Sequence, residues 1–288
     1  MELSVRVPGS CGELIQGWYH GAPFLVTCPI ERYTTVRVSD AFHGWQGLGE
    51  KSQRALSATL SLLGVSSFPW GMKLSSDLPR GKGMASSSAD IAAVIAAASL
   101  ALGRPLPPEK ILRLAVQIEP TDATFFPGVV ALDHTTGQVF QTFDPPPFSL
   151  ALFDTAPQRC VDTVSFHEVW ETRAGALPAH DWAGLLRTFG KGAQAAAAAA
   201  TLSACWNEEI LPKQHFEAIK AAADRVGAPG LVAAHSGTVI GVLLSRQAAK
   251  AAERLQECLP HVAYLGSSRI ISGGIFVEWP DGAKANFG

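Results

Sequence analysis

The stretch SDLPRGKGMASSSADIAAVIAAA, residues 76–98, constrains the fold of this chain more than any other. Pro79 ends whatever precedes it, Gly81 and Gly83 free the backbone, and three serines open a run of alanines and branched apolar residues that favours helix. A flexible loop feeding a helix is predicted. From Ile91 to Leu102 that helix is apolar on nearly every side, so it should be central and buried. A helix that starts at such a loop turns unpaired N–H groups and the positive end of its dipole outward, where an anion can settle. The hydroxyls of Ser86, Ser87 and Ser88 add donors and can ligate a hard cation such as magnesium. The same residues also suit an N-capped buried helix after a surface turn, and the stretch by itself does not choose. Neither GxxxxGK[ST] nor GxGxxG fits it: no Ser or Thr follows Gly81-Lys82-Gly83 in the first frame, and the second lacks its third glycine.

Around this centre the patterning mixes strands and helices without a strict βαβ rhythm, which predicts an α+β fold. Strands are expected at 3–7, ending in a turn at Pro8-Gly9, at 24–27, at 33–38 and at 70–75, with a helix from Glu50 to Leu63 capped by Gly64. A helix through Ile111 and Leu114, and a hairpin around Thr135, Thr136 and Gly137, follow. The prolines Pro145 to Pro147 form a stiff connector and a domain boundary, dividing the chain into residues 1–147 and 148–288. Beyond it, strands are expected at 149–153, 231–234, 239–244, 262–265 and 275–279, with long helices over 182–204 and 208–226 and another from Gln247 to Leu259. The alanine run Ala195 to Ala200 reads as a packed helix in which small side chains permit close approach.

A net charge of −2 with scattered Lys and Arg argues against nucleic-acid or anionic-membrane partners. Five cysteines, an odd number without a CxxC pair, indicate neither a disulfide framework nor a zinc knuckle, so a reducing cytoplasm is the expected setting. No secretory signal pattern opens the chain and no uncharged run reaches membrane-spanning length. Hydrophobic content of 47% against 17% charged is that of a well-cored protein that folds alone, as a monomer or homodimer.

Three separated stretches resemble the motifs of one family, the GHMP kinases. Pro-Gly near the N-terminus is matched by PGSCGELIQG, residues 8–17; the Pro-x3-Gly-small-Ser-Ser motif by PRGKGMASSSA, residues 79–89; and a small-residue loop near the C-terminus, more loosely, by HSGTVIG, residues 235–241. Within the family the first stretch and IEPTDATFFPG, residues 118–128, are most similar to the L-threonine kinases of cobalamin synthesis. The resemblance covers essentially the whole chain. It implies a two-domain GHMP kinase fold, with an N-terminal ATP-binding domain like ribosomal protein S5 domain 2, containing a left-handed βαβ crossing, and a ferredoxin-like C-terminal domain. It also implies ATP and Mg2+ as cofactors, and L-threonine as acceptor, with homoserine or another small alcohol, or a silent ligand-sensing homologue, as alternatives.

By the same resemblance Pro79, Gly81, Lys82, Gly83, Met84, Ala85, Ser86, Ser87 and Ser88 hold the ATP phosphates, with Ser87 a magnesium ligand and Ser86 and Ser88 donors to phosphate. Lys82 is placed either to reach a phosphate or to stand in solvent. Asp122, which beside Pro120 and Thr121 also suits an Asx or helix-capping carboxylate, is by the resemblance the candidate catalytic base, and Glu119 a metal ligand, although several members carry that glutamate further upstream. Ser10, Glu13 and Gln16 are placed near the acceptor, with Glu13 either holding its ammonium or pointing to solvent at a strand end. His235, Ser236 and Gly237 line the same cavity from the other domain, unless His235 is simply a hydrogen-bonded structural residue. Arg32 and Arg269 are alternative clamps for the acceptor carboxylate. Cys11 reads as a packing residue rather than a nucleophile.

Overall fold

The computed structural model describes residues 1–19, 21–160, 180–245 and 249–287. Its frame is a pair of 18-residue antiparallel strands, β1 (Glu2–Tyr19) and β2 (Ala22–Ser39). The turn expected at Pro8-Gly9 and the two short strands expected in 24–38 are corrected here, because both strands run straight through. Register shifts fall between Pro8 and Ser10, Ser10 and Glu13, and Glu13 and Ile15. Bulges thus absorb the proline and glycines that read as a turn. Gly12 takes φ 60° inside β1, and a Cβ there would lie 2.4 Å from Ala234 Cα.

Bending lets each long strand serve two neighbourhoods. β1 pairs with β11 (Ile275–Glu278) near its start and with β8 (Gly230–Ala233) at Glu13. β2 pairs with β5 (Val129–Leu132) near its start and β4 (Gly71–Ser76) near its end. Beyond β8 the sheet continues through β9 (Val239–Leu244), β7 (Ser149–Asp154) and β10 (Ala263–Arg269). The short β3 (Trp45–Gln46) and β12 (Lys284–Phe287), which the sequence reading does not find, pair with β4 and β11. The expected hairpin is present as β5 and β6 (Val139–Phe143), with Gly137 at φ 77°.

The first helix, α1 (Glu50–Leu63), ends as expected at Gly64 in the left-handed conformation. The second, α2 (Ser86–Ala101), buries 13 of its 16 residues, so it has almost no solvent face and packs against α1, β1 and β2. Ile91, Val94 and Ile95 are wholly buried, worth about 1.5–3 kcal/mol each. After α3 (Pro108–Val116), the two long helices expected downstream are interrupted. The first divides into α4 (Trp182–Phe189) and α5 (Ala193–Asn207), because Gly192 between them sits at φ 108°. The second starts only at Phe216, as α6 (Phe216–Arg225), after Pro212 and after His215 at φ 62°. Of the helix expected from Gln247, α7 (Ala249–Cys258) is described, and the expected start lies outside the described residues.

The alanine run packs as expected. Ala196, Ala197, Ala199 and Ala200 are buried, and a Cβ on Gly230 of β8 would lie 2.7 Å from the Ala197 carbonyl oxygen. One core cluster centres on α2, β1 and β2, and a second is drawn from residues 151–262. No helix among the described residues is long and apolar enough to cross a membrane. All five cysteines are free, and burial pushes the thiol pKa of Cys11 up, which suits packing rather than nucleophilic chemistry.

Candidate active site

The three motif stretches, distant in sequence, converge on the loop before α2. Ser10 N–H donates to the Met84 carbonyl (3.0 Å), Gly12 N–H to Gly83 (3.2 Å) and Thr238 N–H to Lys82 (3.1 Å). The approach admits no side chains at several points. A Cβ on Gly9 would lie 2.7 Å from the Met84 oxygen, one on Gly83 2.4 Å from Ala234 Cβ, and one on Gly237 2.2 Å from the Lys82 oxygen. Gly81 (φ 68°), Gly83 (φ 76°) and Ala85 (φ 54°) carry the loop into the helix through left-handed conformations. Ala85 is the N-cap of α2 and offers no side-chain hydrogen bond, so the first-turn N–H groups of α2 have no intrahelical acceptor and open towards a cleft.

That cleft is a cavity of about 390 Å³. Gly81, Gly83, Met84, Ala85 and the three serines line one side, and Glu119, Asp122, Glu13 and Ser236 also face it. The expected meeting of serine loop and acidic pair is therefore present. Ser88 joins them directly: its hydroxyl accepts from Asp122 N–H (3.1 Å) and donates to Asp122 Oδ2 (3.4 Å). Asp122 Oδ1 and Glu119 Oε1 are buried without a hydrogen-bond partner. Burial, then the neighbouring Glu13 and Glu119 carboxylates, pushes the Asp122 pKa up to about 8. Glu119 Oε2 accepts from the Lys51 ammonium at the cavity wall.

Several expected residues stand elsewhere. Lys82 neither reaches the cavity nor meets solvent. Its ammonium is buried against Asp154 (2.9 Å) and donates to the carbonyls of Ala156, Pro157 and Arg159, because the loop packs on the end of β7. Pro79, Ser10, Gln16 and His235 do not line the cavity, and Gly237 faces a different one. Ser10 and Gln16 are buried struts, the Gln16 N–H donating to Ser203 Oγ. His235 is held between Glu13 and Ser203. Its N–H donates to Glu13 Oε2 (2.7 Å), its Nδ1 lies 3.2 Å from the same oxygen, and its Nε2 lies 3.1 Å from Ser203 Oγ. The series Ser203, His235, Glu13 has the order of a nucleophile, base and orienting acid, but Ser203 is completely buried and already accepts from Gln16, so no substrate meets it. Neither proposed clamp lines the cavity: Arg269 forms a two-point pair with Glu31 on the surface and Arg32 donates to the Leu265 carbonyl.

The sequence reading misses the cations that are present. Lys51, from the first turn of α1, and Arg80, 3.6 Å from Asp90, line the cavity with Gly49, Glu50 and Ser52. Asp90 is itself fixed by the Thr34 hydroxyl (2.7 Å). The available signal was only the expected start of α1 at Glu50, and nothing in that helix start marks it as facing a site.

Residues 51–126 match the family model for the GHMP kinase N-terminal domain. The chain is 34% identical over 257 residues to an L-threonine kinase from Citrobacter freundii, covering 84% of this chain and 86% of that protein. It is equally 34% identical over 258 residues to an L-threonine kinase from Salmonella typhimurium, covering 84% and 83%. Among solved structures it is similar to a putative homoserine kinase from Listeria monocytogenes, with a TM-score of 0.65 at 20% identity over 96% of this chain and 99% of that one, a likeness of fold.

Proposed function

The chain belongs to the GHMP kinase family, and from that premise we propose that it transfers the γ-phosphoryl group of ATP to the side-chain hydroxyl of L-threonine, giving L-threonine O-3-phosphate for cobalamin synthesis. The observation that carries this reading is the single cavity shared by the serine loop and the Glu119–Asp122 pair, in a chain 34% identical over most of its length to two L-threonine kinases. Homoserine kinases share the fold at lower identity and fit less well.

The first-turn N–H groups of α2 and the Ser86 and Ser87 hydroxyls receive the phosphates, and Lys51 and Arg80 offset their charge. The orphaned Oε1 of Glu119, which lines the same cavity as Ser87, suits Mg2+, which binds through one or two carboxylates plus phosphate oxygens. Bound there, the ion would neutralise the β- and γ-phosphate oxygens. Asp122 orients the acceptor hydroxyl and takes its proton on a carboxylate oxygen. Its raised pKa suits proton exchange near neutral pH, while Ser88 fixes its direction. Because phosphoryl transfer has a loose transition state, orientation is the larger part of that role. Glu13, anchored by His235, faces the cavity and holds the acceptor ammonium.

The Pro145–Pro147 connector and the second core cluster support a division into an S5-like domain, residues 1–147, and a ferredoxin-like domain, residues 148–288. Five unpaired cysteines support a cytoplasmic setting. Incubation with ATP and threonine, serine, homoserine and mevalonate in parallel, followed by phosphorus NMR, tests the proposal: threonine phosphate is expected, and turnover of homoserine with threonine inert would defeat it.

A further inference from the structure

Lys51 and Glu119 meet at the wall of the cavity, and the two ends of that pair are held very differently. Glu119 is fixed. Its side chain is 3% exposed, its N–H donates to the Ala115 carbonyl (3.1 Å) in the last turn of α3, and Pro120 follows it. Lys51 is the loose partner: its side chain is 38% exposed, and it leaves the first turn of α1 on a flexible four-carbon stem. Glu119 is moreover only half engaged, since Oε2 accepts from the Lys51 ammonium while Oε1 is buried without a hydrogen-bond partner among the described residues. Around the pair, five acidic side chains, Glu13, Glu50, Asp90, Glu119 and Asp122, line the cavity against two cations, Lys51 and Arg80. Arg80 is paired with Asp90 (3.6 Å), which leaves Lys51 as the cation on Glu119.

An ammonium and a divalent ion on one carboxylate repel each other, so the two compete for Glu119 unless one of them moves. The buried carboxylate and the exposed stem decide which. We propose that Lys51 is an exchangeable counter-ion: it holds Glu119 until it is displaced by a divalent cation, and its released ammonium then turns to the phosphates at the start of α2, which borders the same cavity. The inference rests on the kinase reading and its metal site above, and adds the order in which the charges meet. A triphosphate arriving without metal faces more acids than cations and a lysine already taken. With metal it gains two positive partners in one step, the ion and the freed ammonium. Lys51 therefore makes nucleotide affinity depend on the metal beyond the ion's own contacts.

Titration of the whole chain with Mn2+, followed by electron spin resonance without nucleotide, reads the competition apart from turnover. Lys51→Met should bind Mn2+ roughly tenfold more tightly than wild type, the worth of a hydrogen bond to a charged group. Lys51→Arg keeps the charge and can grip both carboxylate oxygens, so it should bind Mn2+ about threefold more weakly than wild type, or worse. Arg80→Gln removes an equal charge from the same cavity, and its exposed pair with Asp90 should move Mn2+ affinity by less than about threefold, which separates exchange from bulk charge. Towards a non-hydrolysable ATP analogue, Lys51→Met should lose roughly tenfold in affinity with Mg2+ present and less than about threefold in EDTA. Mn2+ affinity no higher in Lys51→Met than in wild type, absence from both included, overturns the exchange. A loss of nucleotide affinity that is equal with and without Mg2+ does so too, because it marks a lysine that never leaves for the phosphates or never left them. If Lys51→Met does not fold, Lys51→Arg decides, and Mn2+ affinity equal to wild type overturns the exchange. Mn2+ affinity that Glu119→Gln leaves unchanged removes the metal site and the exchange together. Both signatures in a chain that leaves threonine inert remove the acceptor assignment and leave the exchange standing.

Discussion

Replacing Asp122 by asparagine should stabilise the protein while disabling it, by an amount that depends on pH. In the folded chain burial, Glu13 and Glu119 hold the Asp122 pKa near 8, against 3.8 for an unperturbed side chain. Between those values the unfolded chain has released a proton that the folded chain keeps, so stability falls as pH rises and the loss is complete by about pH 8. From pH 5 to pH 8 the interval is about 3 units, each worth at most about 1.4 kcal/mol, which bounds the loss at about 4 kcal/mol. Water entering the cavity screens the group, and about 2 kcal/mol is the working figure. Asparagine does not titrate. The melting temperature of the variant minus that of wild type should therefore climb by about 4–8 °C between pH 5 and pH 8, measured by scanning calorimetry without nucleotide. A difference that stays flat or shrinks with pH refutes the burial argument. Turnover should meanwhile drop at least about a hundredfold, and activity within about threefold of wild type would leave Asp122 without its role as proton acceptor.

Ala85, at φ 54°, pays about 1–2 kcal/mol for its conformation, so Ala85→Gly should raise the unfolding free energy by about 1 kcal/mol. Ala85→Val, β-branched, should lower it by at least about 2 kcal/mol and abolish nucleotide binding in equilibrium dialysis. Gly237→Ala drives a methyl group against the Lys82 carbonyl and the Gly83 nitrogen, and should weaken ATP affinity roughly tenfold or more by displacing the loop, as a fluorescent nucleotide titration would register. Lys82→Met strands Asp154 in the core and should cost roughly 3–5 kcal/mol in urea unfolding. A fully stable Lys82→Met protein with weakened ATP affinity would instead return that lysine to the phosphates.

What could be read from the sequence was what local chemistry decides. The start of α2 and the end of α1 are announced by serines and by Gly64, and the β5–β6 hairpin by Gly137, because caps and turns depend on a few neighbouring residues. Pro8-Gly9 misleads because bulges and turns draw on the same residue types, and only the pairing partner β2 distinguishes them. The site divides in the same way. Gly81 to Ser88, Glu119 and Asp122 lie in contiguous motifs and were legible together. Lys51 and Arg80 are ordinary charged residues in ordinary contexts, brought to the cavity by packing that the chain reveals only once folded. Lys82 shows the converse: flanking glycines promise exposure, and the end of β7 buries it.

The grip on the loop before α2 comes from both halves of the chain. A fragment ending at residue 147 would contain every loop residue yet lack Thr238, which ties down Lys82, and Asp154 with the three carbonyls that satisfy its ammonium. Such a fragment would present the serines on an unsupported backbone, with a stray cation in place of a buried anchor. Nucleotide affinity in this protein therefore reports whether its halves have met, and cannot be transplanted with the motif alone.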